Sequence, residues 1–239
     1  MKFLVAALLL FAAPLRAEIA DTSAQFVGAE YLIDPLGEGV GYDSDPLVRF
    51  DAFDCLTFVE TVLALENGVN LNDIRYKDGR VDFVARHHFL AADWVPNNRR
   101  IVRDATRTLG LPFTLQYTTI DRAAWFRKVH GISVDASPVV VESVFIPKVD
   151  IKAYRGRIVS LVWRPMVVAF VTSDMDLREK VGTDLVYSHI GFLIPAKGTL
   201  LLRHASSTAK KVVDVDFFKY VEGRTSIKGV SILEPISGQ

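Results

Sequence analysis

The sequence predicts an α+β fold, with N-terminal helices packed on a C-terminal antiparallel β-sheet. Three observations predict it. A helix-start signature followed by an amphipathic pattern begins at Asp54-Cys55. Short segments rich in branched residues and bounded by turn formers crowd the chain after Ile158, as strands do. The helical patterns precede the strand patterns instead of alternating with them, which argues against a parallel βαβ sheet.

Taken in order, Met1-Lys2 gives a positive start, Phe3 to Leu15 is apolar, and Arg16-Ala17 precede Glu18. That run is too short to span a bilayer and is broken by Pro14;. Residues 1–17 therefore read as a secretory signal and residues 18–239 as a single domain. An exported, periplasmic location follows as an expectation. No cysteine follows the cleavage point, so no lipid or membrane anchor is expected to remain.

Residues 18–53 are rich in Gly, Asp and Pro and read as loop with short helix;. Asp54 is a preferred N-cap, and Phe53 and Phe58 fall at the positions of a hydrophobic staple. Phe58, Val59, Val62 and Leu63 then recur at helical spacing;. Asp104 to Leu109 reads as a short helix stopped by Gly110, and residues 120–130 read as helical. Ile158–Trp163, Val167–Val171, Val186–Ile194, Thr199–Arg203, Val212–Val215 and Val230–Leu233 read as strands, and Phe217–Val221 as a short helix or strand.

Lys and Arg balance Asp and Glu, 28 against 28, and half the residues are hydrophobic. Loss of Lys2 and Arg16 with the signal leaves two more acids than bases. No basic tract exists, so nucleic acid is not an expected partner. No internal repeat or low-complexity linker is present, and a monomer is expected.

Cys55 is the only cysteine. As first residue of a helix it faces free amides and the positive end of the helix dipole, which favour thiolate. Asp54 opposes this by charge, so a histidinium partner would be needed to win. The same amides can hold an oxyanion. His189 and His204 sit on two expected neighbouring strands joined through Pro195-Ala196-Lys197-Gly198; whether they share a face depends on the register. A thiol with two histidines is the material of a cysteine hydrolase. The plainer reading is a small buried hydrophobe, but a lone cysteine in an exported chain is an oxidation liability without a role.

Asp54-Cys55, His189-Ile190-Gly191 and His204-Ala205 together resemble the NlpC-type cysteine peptidases of bacterial cell walls, a papain-like superfamily. The commoner pattern follows the cysteine with Ser-Gly, where this chain has Leu56-Thr57. The chain is more similar to the N-acetylmuramoyl-L-alanine amidase-like branch. Leu36-Gly37-Glu38-Gly39, the Phe53–Glu60 run, the Arg86 to Asn98 region, Ser188–Phe192 and Arg203–Ser207 carry that likeness. The resemblance implies a papain-like fold with Cys55 as nucleophile, His189 as base and His204 as the residue that orients it. It implies cleavage of the amide between N-acetylmuramic acid and L-Ala in soluble muropeptides, notably those with an anhydro sugar. The alternatives are a stem-peptide endopeptidase cutting between D-Glu and the diamino acid, or a non-catalytic binder of wall fragments.

For substrate contacts the sequence offers Asp54 beside the thiol, and Tyr31 by analogy with an upstream tyrosine of the superfamily, with Tyr42 as competitor. Asp93, Trp94, Asn97 and Asn98 combine an aromatic face with amides and a carboxylate, suited to a sugar. His87 and His88 are adjacent and cannot both face one site well. No His-Glu-x-x-His or paired-cysteine spacing exists, so neither a metal nor a cofactor is expected.

Overall fold

Met166–Thr172 is apolar without alternation and buried at every position, the pattern of a central strand covered on both faces. The computed structural model, which describes residues 18–172 and 177–236, places this segment inside a ten-stranded sheet. The 1–17 segment read as a secretory signal lies outside the described residues.

The strands are β1 (Glu30–Tyr31), β2 (Ala52–Phe53), β3 (Val102–Asp104), β4 (Thr114–Ile120), β5 (Val139–Pro147), β6 (Met166–Thr172), β7 (Tyr187–Ala196), β8 (Thr199–Ser206), β9 (Lys211–Asp216) and β10 (Ile227–Pro235). Their order is β2-β1-β9-β8-β7-β6-β10-β5-β4, with β3 pairing β10. Only the β1–β2 pair is parallel. The fold is α+β with a large, mostly antiparallel sheet.

Alternation along β6 feeds two cores. Val167 and Ala169 join Phe58, Val62 and Phe192 around the helix Cys55–Asn67. Val168 and Phe170 join Ile158, Phe217 and Phe218 in a second core. Phe58 meets Phe192 edge-on at 5.7 Å between ring centroids, which fastens the helix to β7. Each fully buried side chain of this size stabilises by roughly 1.5–3 kcal/mol.

Two expectations are corrected. The sheet is not confined to the C-terminal part, because β4 and β5 pair over seven residues before residue 148. Ile158–Trp163 is not a strand: Arg155–Leu161 is helical. Ile158 and Val162, four residues apart, are both buried in the second core. Their side chains bury as one helical stripe, which outweighs the β preference of branched residues. Phe217–Glu222 resolves as helix, capped by Asp216, whose carboxylate accepts from the Lys219 amide at 2.9 Å. The 120–130 segment is helical as expected, in two pieces.

Candidate active site

The helix carrying Cys55 starts where local chemistry dictates. Asp54 Oδ1 accepts from the amides of Leu56 at 3.0 Å and Thr57 at 2.8 Å, and Thr57 Oγ1 accepts from the Asp54 amide at 3.0 Å. This is a reciprocal capping box;. The staple also forms, with Phe53 and Phe58 rings 5.8 Å apart. Gly68, left-handed at φ 61°, ends the helix;. Cys55 is thereby held, half-buried, at the first helical position.

The register of β7 on β8 answers the question of facing. Phe192 lies opposite Arg203, so His189 and His204 have the same parity and share a face. His189 Nε2 and His204 Nδ1 are 2.7 Å apart, which engages Nε2 of His189 and leaves its Nδ1. The pairing of β6 with β7 shifts at Ser188, between the pairs Phe170–His189 and Val171–Tyr187, a bulge of the kind that re-aims a side chain beside a site. A Cβ on Gly191 would come within 2.9 Å of His204 Cβ, so glycine there gives the second histidine its room.

Cys55 and His189 line one cavity of about 150 Å³, walled also by Leu56, Phe89, Leu90 and Ile190. Leu90 belongs to a π-helical turn, Leu90–Trp94, and such turns cluster at functional sites. Burial pushes the Cys55 thiol up to about 12, with the Asp54 charge adding to the rise. The amides of Ile190, Cys55 and Leu56 act the other way, with smaller effect. Burial pushes His189 down to about 3, reinforced by His204 and then Arg224. His204 is pushed down to about 4 by burial and Arg224, against the pull of Asp214. Asp54 thus opposes the thiolate as the sequence led one to expect, and burial opposes it more strongly than the helix-end amides favour it;.

Tyr187 lines the thiol cavity, and Tyr31 lies near enough to feel the Cys55 charge. Tyr31 pairs with Phe53 in the β1–β2 ladder, and the charges of Cys55 and Asp54 add to burial in raising its pKa. Tyr42 sits elsewhere, bonded to His130 Nδ1 at 3.0 Å.

The expected sugar contacts are not brought to the thiol. Trp94 is wholly buried in the core around the Cys55 helix, so its face is not open to a ligand. Asp93 is buried in an ion pair with Arg122 and accepts from the Phe89 amide at 3.1 Å. Asn98 Nδ2 donates to the carbonyls of Ile74 and Trp94. Asn97 donates to the Asp93 carbonyl at 2.7 Å and faces a separate cavity with Asp73 and Asp78. These four residues build the wall: Trp94 packs in the core, and the polar groups of Asp93, Asn97 and Asn98 bond backbone groups;.

A neighbouring cavity of about 290 Å³ shares Leu56 and His88 with the thiol cavity and adds Asp34, Asp54, Arg86, Trp125 and His130. Trp125, half-buried, supplies the aromatic face that Trp94 does not. His88 Nε2 donates to the Phe83 carbonyl at 2.7 Å, and its ring is 4.8 Å from Trp125. His87 bonds the Ile74 carbonyl through Nδ1 at 2.9 Å and lines the same cavity, so the two adjacent histidines border one site, against expectation. Tyr220 is a further residue that sequence reading missed, its ring 5.0 Å from His204 and 6.0 Å from His189. Among the described residues, no group of three or more His, Cys, Asp or Glu side chains is placed to hold a metal ion.

These histidines make acid stability predictable. His88 is pushed down to about 3, mainly by burial, like His189 at about 3 and His204 at about 4. An unfolded histidine titrates near 6.5. Between that value and about 4 the unfolded chain binds protons at these three histidines that the folded protein refuses, which outweighs the opposite effect of Glu60, pushed up to about 7 by burial, so stability falls as pH drops through this window;. Denaturant midpoints measured from about pH 7 to about pH 4.5 should decline, less steeply in His204→Gln. A wild-type midpoint that does not move would contradict these buried neutral histidines.

The arrangement brings a thiol at a helix start and one of a hydrogen-bonded pair of histidines to the border of one cavity. Residues 21–229 match the AmiA-like family model, described as N-acetylmuramoyl-L-alanine amidase-like, and the chain belongs to that family. A Legionella pneumophila structure of the DUF1460 family model superposes with a TM-score of 0.82 at 26% identity, over 92% of this chain and 88% of that one. A Bacteroides uniformis N-acetylmuramoyl-L-alanine amidase superposes with a TM-score of 0.71 at 22% identity, over 92% of this chain and 98% of that one. No sequence match to a curated protein reaches significance.

Proposed function

We propose that this protein is a thiol-dependent amidase that hydrolyses the bond between N-acetylmuramic acid and L-Ala in soluble, anhydro-sugar muropeptides. The observation that carries it is the shared cavity of Cys55 and His189, with His189 Nε2 tied to His204. His189 Nδ1 takes the thiol proton as sulfur attacks the lactyl carbonyl carbon, and the Cys55 amide donates to the oxyanion. Collapse breaks the C–N bond, and His189 returns the proton to the departing L-Ala amine. Water then hydrolyses the thioester, releasing the muramic carboxylate and regenerating the thiol.

The acyl-side sugar is assigned to the cavity of Trp125, His88, Arg86 and Asp54, replacing the Asp93–Asn98 segment. Its volume of about 290 Å³ is at the lower end of small-molecule sites, roughly 300–1,000 Å³;. That size suits one terminal sugar better than a glycan strand. The same reading makes 18–239 one papain-like amidase domain, exported behind a signal at 1–17, acting as a monomer without a metal or cofactor.

Incubation with anhydro-muropeptides and with intact sacculi, followed by mass spectrometry, tests the reading. Free stem peptide beginning with L-Ala is expected from the soluble substrate. Release of L-Ala-D-Glu would instead identify an endopeptidase, and rapid solubilisation of sacculi would contradict the small sugar cavity. Binding without any product would identify a wall-fragment binder.

A further inference from the structure

The histidine pair also borders a cavity of about 240 Å³ lined by Ser188, His204, Ser206, Tyr220, Arg224 and Ser226. Arg224 Cζ stands 3.6 Å above the Tyr220 ring, the ring that packs on both histidines. Among the described residues Arg224 forms no ion pair. Asp214, the acid that acts on His204, is held by Arg203 through two bonds of 2.7 Å. Ser206 Oγ accepts from the Ala209 amide at 3.1 Å, which leaves its O–H to donate. A stacked guanidinium among hydroxyls, with no carboxylate of its own, is a site built for an anion.

We infer that Arg224 and its hydroxyl neighbours bind the free α-carboxylate of the second stem residue, D-Glu, on the leaving-group side of the reaction. The inference rests on the amidase reading and names the peptide-side determinant of that site. Three observations select this ligand. The thiol cavity shares Leu56 and His88 with the sugar cavity, but Ser188 and His189 with the Arg224 cavity. The thiol cavity thus borders both, and His189, which protonates the leaving amine in this reading, also lines the Arg224 cavity. In the stem, D-Glu continues through its γ-carboxyl, so its α-carboxylate is unprotected and sits about two residue lengths, roughly 7 Å, from the L-Ala nitrogen. Tyr220 links the two groups on that scale, its ring 6.0 Å from the His189 ring and 3.6 Å from the Arg224 guanidinium. Occupancy has a consequence for the chemistry. Arg224 depresses both histidines, and a carboxylate on the guanidinium offsets that charge, strengthening the base only when the peptide is in place.

The test compares kcat/KM for anhydro-muramoyl-L-Ala-γ-D-Glu and for the same compound with D-isoglutamine, in which the carboxylate is a neutral amide. Wild type should prefer the carboxylate by about tenfold or more, the scale of one charge-assisted hydrogen bond. In Arg224→Gln the ratio should fall to near one. A wild-type ratio near one overturns the inference without any variant. So does a variant that slows both substrates equally, because an arginine acting only on the histidines leaves the ratio untouched. Mass spectrometry of the same reactions separates the two levels of failure. L-Ala-terminated peptide with no carboxylate preference ends the subsite alone, whereas cleavage at another bond ends the amidase reading and the subsite with it.

Discussion

Cys55→Ser is expected to lower kcat/KM by about 10⁴-fold or more, the scale on which covalent catalysis fails when its nucleophile is removed. His189→Ala should lose a similar factor, because a thiol pushed up to about 12 supplies almost no thiolate at neutral pH without a base;. His204→Ala should be milder: water can replace its contact with His189 Nε2, although the tautomer is then less well set;. Losses in a double variant should fall well short of additive, since the groups act in one step. Thiol alkylation should inactivate and chelators should not. The check is single-turnover and steady-state kinetics on a soluble muropeptide, with far-UV circular dichroism as the control for folding. Full activity in a Cys55→Ala protein, or inactivation by chelator alone, would end the thiol mechanism.

Arg86→Ala is expected to destabilise the folded state by about 3–5 kcal/mol, the cost of leaving a buried charge without its partner. Arg86 Nη2 reaches Glu38 Oε1 at 2.7 Å and Asp43 Oδ2 at 2.6 Å, and Nη1 reaches Asp34 at 3.0 Å. Arg86 and Glu38 are both buried. The same network anchors Leu36–Gly39: Arg75 donates to the Leu36 carbonyl at 2.8 Å, and Tyr76 Oη donates to the Gly37 carbonyl at 3.0 Å. A Cβ on Gly37 would lie 2.3 Å from Asp43 Oδ1, so glycine is the residue that fits there. Urea unfolding should show a lowered midpoint with unchanged slope, and Arg86→Lys should recover only part of the loss because an ammonium cannot span three carboxylates as a fork does. A change below about 1 kcal/mol would mean that the network is solvated and contributes little. Arg86 also borders the Trp125 cavity, so the stability measurement and not activity is the deciding readout.

The motifs that resembled the amidase-like branch gain physical content in this way. Leu36-Gly37-Glu38-Gly39 and Arg86, 48 residues apart in sequence, form one buried ion network. The Phe53–Glu60 run is a cap, a staple and a first helical turn. The part of the Arg86 to Asn98 region predicted to hold sugar is wall, with Trp94 turned inward. An aromatic residue among amides looks alike in sequence whether it faces a ligand or a core, because burial is a property of the assembled neighbours.

By itself the sequence determined whatever hydrogen bonding decides over a few residues: the Asp54 cap, Cys55 at the first helical position, and two histidine-bearing strands joined by a turn. Tertiary structure decided the rest. The register of β7 on β8 put His189 and His204 on one face, and a one-residue slip would have parted them;. Burial, which the sequence does not show, proved the largest influence on the Cys55 thiol, ahead of the Asp54 charge. Core packing made Arg155–Leu161 a helix against its branched composition. Trp125, Tyr220 and Arg224 reached the site from segments that carry no mark of it. The division is physical: caps and turns satisfy groups on neighbouring residues, whereas register, facing and desolvation depend on partners that only the closed fold brings into contact.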